Sequence, residues 1–268
     1  MKKKIVALCL CVALAVVAIG GATLAYFTDT DEAINTFTAG GVMIGLIEQE
    51  RDGQGGLQEF TQDQVLMPIV GSAQGEKDDL GQPVAANYVD KIVTIQNTGK
   101  SDAYVRAYFD IPSALDDGYE TFNAGLNVLH FNFGNKVVNG AISSTEGVEW
   151  IWTHGSKWNY FETTIDGVAY NVYFADYYQP LAAGATTEQF VSGVYLDKSF
   201  NQQDGKYYAF GEEIDLSGLI SDDGELTVKC PVKAVAVQAA GFASVDAAIT
   251  EAFGANYNPF GGTAANWQ

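Results

Sequence analysis

Residues 88–111 restrict this chain to an antiparallel β fold. YVDKIVTIQ (88–96) and AYVRAYFDI (103–111) are runs of β-branched and aromatic residues. They are joined by Asn97-Thr98-Gly99-Lys100-Ser101-Asp102, a cluster of turn-forming residues. In the second run Val105, Ala107, Phe109 and Ile111 share one face, and Tyr104, Arg106, Tyr108 and Asp110 share the other. That period of two predicts a sheet with one face on a core and one in water.

Further strands are expected at 42–47, 128–133, 148–153, 168–174, 189–196 and 225–238. In the last, Leu226, Val228, Cys230 and Val232 lie on one side, and Pro231 implies an edge position or a bulge. The stretch 51–84 is rich in glycine, glutamine and acid, with an apolar island at 65–70, and reads as a long loop. One helix is expected near the end. Ser244 caps it, Val245, Ala248, Ile249, Ala252 and Phe253 recur at helical spacing, and Gly254 stops it. The fold class is therefore all-β: a jelly-roll-like antiparallel β-sandwich with long loops and one short C-terminal helix.

The N-terminus carries a different signal. Lys2, Lys3 and Lys4 precede an uncharged apolar run over 5–19; Gly20-Gly21 ends it, and Thr23-Leu24-Ala25 supplies small residues at a cleavage site. This is the layout of a secretory signal peptide cut between Ala25 and Tyr26. A membrane anchor is the rival, since the uncharged stretch continues through Tyr26 and Phe27; the glycine pair and the small-x-small site argue against it. The domain reading is 1–25 signal peptide, 26–40 extended segment, 41–242 sandwich, and 243–268 helix and tail.

Removing the three leader lysines takes the formal charge from −19 to −22. Such an acidic surface repels nucleic acid and anionic membranes, and no nucleic-acid partner is expected. Cys9 and Cys11 leave with the leader, and Cys9 lies too early for lipid attachment, so Cys230 is the only cysteine of the mature chain. It reads as a small core residue. No apolar tail or sorting-type motif follows the domain, so attachment to a cell is expected through partners.

The motifs also carry a resemblance. Gly-Gly-Ala-Thr-Leu-Ala-Tyr-Phe-Thr-Asp (20–29), followed by Ala39-Gly40-Gly41 and a strand, resembles the export segment of the TasA and camelysin family of Gram-positive biofilm-matrix and cell-surface proteins. Three stretches of the body are similar to the same family: Asp90 to Gly99 with Ala103-Tyr104-Val105-Arg106; Pro180-Leu181 to Thr186 with Val194-Tyr195-Leu196-Asp197; and Ala236 to Phe242. Residues 50–85 and 112–178 match poorly. The resemblance implies export through a dedicated signal peptidase, a jelly-roll-like sandwich, and a place on the cell surface or in the extracellular matrix.

Candidate chemistry is sparse. Thr98-Gly99-Lys100-Ser101 imitates the end of a phosphate loop, but Thr94 stands where its first glycine belongs and a strand follows. Camelysin carries a metallopeptidase label, yet the two histidines, His130 and His154, stand apart and no H-E-x-x-H occurs. No catalytic residue and no enzyme activity are expected. Calcium is the only candidate cofactor, at Asp29 and Asp31 or at Asp222, Asp223 and Glu225, although no EF-hand pattern is present. Ten aromatic residues between 147 and 178, Trp150, Trp152 and Trp158 among them, suit core packing; a sugar-stacking platform is the alternative.

The segment 26–39 has a use beyond marking the cut. It is threonine-rich, extended, freed by proteolysis, and carries Tyr26, Phe27, Ile34 and Phe37 for self-assembly. A sandwich with an open edge accepts such a strand from a neighbour, and mutual donation builds a head-to-tail fibre; the alternative is that the segment pairs within its own sheet or stays loose. The expected partners are further copies of the chain, the signal peptidase during export, and matrix polysaccharide or cell-wall components. A carbohydrate-binding surface module is the alternative function, with a camelysin-like metalloendopeptidase behind it.

Overall fold

A computed structural model describes residues 28–31, 41–117, 127–133, 137–138, 141–142, 150–154, 157–221, 224–262 and 264. The strands that organise it are β1 (Thr28–Asp31), β2 (Ile44–Arg51), β3 (Leu57–Glu59), β4 (Ile92–Asn97), β5 (Ala103–Pro112), β6 (Leu129–Phe133), β7 (Trp150–Ile151), β8 (Tyr160–Ile165), β9 (Val168–Tyr177), β10 (Val191–Leu196) and β11 (Val232–Gln238). The helix is α1 (Val245–Phe253).

One sheet runs β1–β11–β5–β9, with β8 and β7 both pairing to the far side of β9. Every one of those pairings is antiparallel. The second layer begins β3–β2–β4 and ends β10–β6. The run leading into β10 joins the two parts: Asn97 N donates to Ala185 O (2.9 Å), Thr187 N to Ile95 O (2.8 Å) and Phe190 N to Val93 O (2.8 Å). Between the layers lie Val93, Ile95, Val105, Phe109, Trp150, Trp152, Tyr173, Phe190, Ala234 and Ala236, all fully buried. This is the all-β sandwich that the alternation predicts, with its one short C-terminal helix.

The helix forms where its sequence places it. Ser244 Oγ accepts from Ala247 N at 3.2 Å, and Gly254 ends the last turn at φ 98°. Nine residues make a marginal helix alone. Burial of Val245, Ala248 and Ile249 against the outer face of the first sheet holds this one.

That contact corrects the reading of β5. Its second face is not wet: Arg106, Tyr108 and Asp110 are buried beneath α1 and the segment after it, beside Phe161, Val172, Phe174, Val235 and Val237. Alternation sorts side chains onto two faces, but it does not say what covers each face.

Other boundaries move too. The strand expected over 225–238 is regular only from Val232, and the Pro231 carbonyl accepts from Asp110 N (3.1 Å). Leu226, Val228, Cys230 and Val232 still pack together against the sandwich core. The loop expected over 51–84 contains β3 and is held to the sheet by Arg51, whose Nε lies 2.7 Å from Asp90 and whose Nη1 lies 3.1 Å from Asp78.

The turn at 97–101 is a clamp. Thr98 N and Gly99 N both donate to Met43 O, and Lys100 N and Ser101 N both donate to Gly41 O. A Cβ on Gly99 would meet Gly41 O at 2.3 Å and Met43 N at 2.7 Å, both backbone atoms. Gly41 sits at φ +115°, open to glycine alone. Gly41, the last residue of the Ala-Gly-Gly motif, and the Asn-Thr-Gly turn therefore touch. Gly99→Ala is expected to lower the urea unfolding free energy by about 2–3 kcal/mol, since backbone must move to admit the methyl. Gly218→Ala, which meets nothing within 4 Å, is the control and should stay within about 0.5 kcal/mol.

Candidate functional site

The outer edge of the first sheet is where the described part of the N-terminal segment lies. β11 pairs with β5 on one side and with β1 on the other. Thr28 stands opposite Val237, Asp29 opposite Ala236, Thr30 opposite Val235 and Asp31 opposite Ala234. Ala234 and Ala236 belong to the core between the layers, whereas Val235 and Val237 belong to the face under α1. β1 is thus an added edge strand that covers four positions of a seven-residue acceptor. Without it, β11 would present a row of unpaired backbone donors and acceptors.

The expected site residues are placed unevenly. The cleavage pair Ala25 and Tyr26, and the assembly residues Phe27, Ile34 and Phe37, lie outside the described residues, as do Asp222 and Asp223. Asp29 and Asp31 stand in β1 at the register positions of two core alanines. Glu225 is exposed, and its carbonyl accepts from Ser221 N (2.9 Å) and Oγ (2.8 Å), closing a tight turn. Among the described residues no three His, Cys, Asp or Glu side chains are grouped to hold a metal ion.

His130 lies in β6, half-buried, its ring stacked on Tyr195 at 5.0 Å and its Nε2 3.7 Å from Asp197. Burial pushes its pKa down, against the pull of Asp197. His154 is the last residue of a two-residue strand, Thr153–His154.

The aromatic residues of 147–178 form the core. Trp150, Trp152, Phe161 and Tyr173 are fully buried, and Trp158, Tyr160, Tyr170, Phe174 and Tyr177 nearly so; only Tyr178 is exposed. Trp152 stacks on Phe190 at 4.5 Å, and Trp150 meets Tyr177 edge-on at 5.2 Å. Rings packed on both faces present no sugar platform, so the stacking reading of Trp150 and Trp158 is overturned.

One cleft, about 700 Å³, was not anticipated. Ser113, Asp116, Asp117, Glu162, Thr163 and Asn171 line it. Asp116 is committed to the fold: its Oδ2 accepts from Asn171 Nδ2 (2.7 Å) and from the Tyr173 hydroxyl (2.6 Å). Those partners lie more than fifty residues away in the chain.

The model of the camelysin metallo-endopeptidase family matches residues 1–50. Over that stretch the TasA/camelysin resemblance is shown. The match ends ahead of both histidines. No curated protein and no solved structure matches the chain. No helix of the described residues is long and apolar enough to cross a membrane.

Proposed function

We propose that the chain is a secreted structural subunit of an extracellular matrix or cell-surface fibre, built head to tail by strand donation. The N-terminal segment of one copy adds to β11 of the next. The observation that carries this reading is the position of β1: a short strand at the outer edge of the first sheet, beside β11. Export is supported by the leader-like run over 1–25 and by the family match that contains it.

The magnitudes suit reversible assembly. About eight backbone hydrogen bonds at about 1 kcal/mol each and three apolar side chains at about 2 kcal/mol each stand against an association cost of about 4–15 kcal/mol. Electron microscopy of the chain beginning at Tyr26, beside one lacking residues 26–38, tests it. Filaments are expected from the first alone; filaments from both, or from neither at high concentration, would remove strand donation.

A further inference from the structure

Three short strands, Asn201–Gln203, Lys206–Ala209 and Glu212–Ile214, form a small antiparallel sheet of their own. Two turns of the same kind join them. Gln203 pairs with Lys206 across Asp204-Gly205, and Ala209 pairs with Glu212 across Phe210-Gly211. Both central residues of each turn are left-handed, at φ 52° and 77° in the first and 55° and 89° in the second. A two-residue turn of this hand suits Asp-Gly or Asn-Gly. The first turn has such a pair. The second puts phenylalanine where a bulky side chain is strained. The other non-glycine residues at positive φ, among those described, are Asp63, Asn87, Asp166 and Asp204, the types that tolerate it. Burial does not explain Phe210, which is 38% exposed and stands outside the buried clusters. A strained residue that the core does not use points to a contact beyond the chain.

The face beside it has a definite chemistry. Tyr207 and Ala209 turn inward to the core, so Lys206 and Tyr208 lie on the outer side. Tyr208 stands opposite Asn201 on one neighbour and Glu213 on the other, and Lys206 stands opposite Gln203. Opposed residues share a face. Lys206 Nζ lies 2.7 Å from Glu213 Oε2, so the two charges of this face neutralise each other. Two rings remain, Tyr208 half-buried and Phe210 exposed, beside the exposed amides of Asn201 and Gln203. Aromatic rings stack on the C–H face of a pyranose, and planar amides bond to its hydroxyls. A polyanion is disfavoured, because the chain itself carries a formal charge of −19. A face without net charge, on a chain that repels polyanions, is matched by an uncharged ligand.

We propose that the outer face of this small sheet, with Tyr208 and Phe210 as its stacking rings, is a binding platform for an uncharged polysaccharide. The platform goes beyond the fibre reading and does not depend on it, since its sheet is separate from the one that holds β1 and β11.

Affinity electrophoresis tests the platform. The chain beginning at Tyr26 is run in native gels that contain hydroxyethylcellulose, dextran or mannan, all polymers without charge. The parent should be retarded by at least one of them. Phe210→Asn, which alters no charge, should weaken that binding at least about tenfold, and Tyr208→Ser should do the same. Tyr178→Ser removes an exposed ring elsewhere and should leave retardation unchanged. The urea midpoint of Phe210→Asn should equal or exceed that of the parent, because asparagine suits the turn.

A lowered midpoint would show that the ring serves the fold, and would overturn the proposal. So would the absence of retardation in every polymer, or retardation that Phe210→Asn does not weaken. Loss of self-association in Phe210→Asn, with no glycan bound by the parent, would assign the rings to a second copy instead. Retardation as expected in a chain that never forms filaments would support the platform while removing the fibre reading, so the two are separable.

Discussion

Replacing Arg106 with methionine is expected to lower stability by about 3–5 kcal/mol, the range for breaking a buried ion pair from one side. The guanidinium is almost wholly enclosed, with Nε 2.6 Å from Asp176 Oδ1 and Nη2 3.0 Å from Asp176 Oδ2. It also lies 4.8 Å from the centre of the Phe174 ring. Methionine fills much of the volume but leaves the largely buried Asp176 carboxylate without its fork of donors. Arg106→Lys should recover little, because a single ammonium cannot pair with both oxygens while lying flat on a ring. Asp246, at 3.3 Å from the same guanidinium, has a mostly exposed side chain, and Asp246→Ala should cost no more than about 1 kcal/mol. Urea unfolding of the three variants checks this order. Equal losses for Arg106→Met and Asp246→Ala would show that the surface contact, not the Asp176 fork, holds the site. Arg106 ties β5 to β9 directly opposite it and touches α1, so its loss is also expected to loosen the layer over Val235 and Val237 of the acceptor strand.

The same residue shows where sequence reading works and where it stops. Ala103-Tyr104-Val105-Arg106 was legible as a strand, and so was the face assignment, because both follow from a local period. That Arg106 faces a helix rather than water depends on Asp176, seventy residues away, and on α1 beyond it. The cap and stop of α1 were legible from Ser244 and Gly254 because capping is a contact across three or four residues. β8 and the three short strands Asn201–Gln203, Lys206–Ala209 and Glu212–Ile214 went unread, their segments being too polar and too short to show a period. The open edge was anticipated as a need of the N-terminal segment. That β11 is its acceptor follows only from topology, since nothing in AVAVQ marks it as the last strand before the edge.

Asp110→Asn is expected to stabilise the chain at neutral pH by about 2 kcal/mol or more, an inversion of the usual effect of altering a buried group. Asp110 is fully buried, and neither carboxyl oxygen has a hydrogen-bond partner among the described residues. Burial pushes its pKa well above the ordinary carboxylate range, and the pull of Lys233 the other way does not offset this. Asp110 in turn helps to raise its neighbours Tyr170 and Cys230, each pushed up to about 12 chiefly by burial. Lys233 is not held by Asp110 alone: its Nζ donates to Pro259 O at 3.2 Å and lies 4.9 Å from the Phe260 ring centre. The amide has the shape of the acid without its charge, so it avoids the desolvation of an ionised group. The folded chain holds the Asp110 proton more tightly than the unfolded chain, where the group titrates near pH 4. The stability contributed by that proton is complete below pH ~4 and is lost as pH rises through the raised folded value. Asp52, Asp78 and Glu50, whose pKa values are lowered, act in the opposite direction but are solvent-screened and common to both proteins. Subtracting the two stability–pH curves therefore isolates Asp110: the variant should gain steadily on the parent from pH 4 upward. Parallel curves between pH 4 and 8 would mean that the carboxylate finds a partner in solution, and that the layer beneath α1 is wetter than its packing indicates.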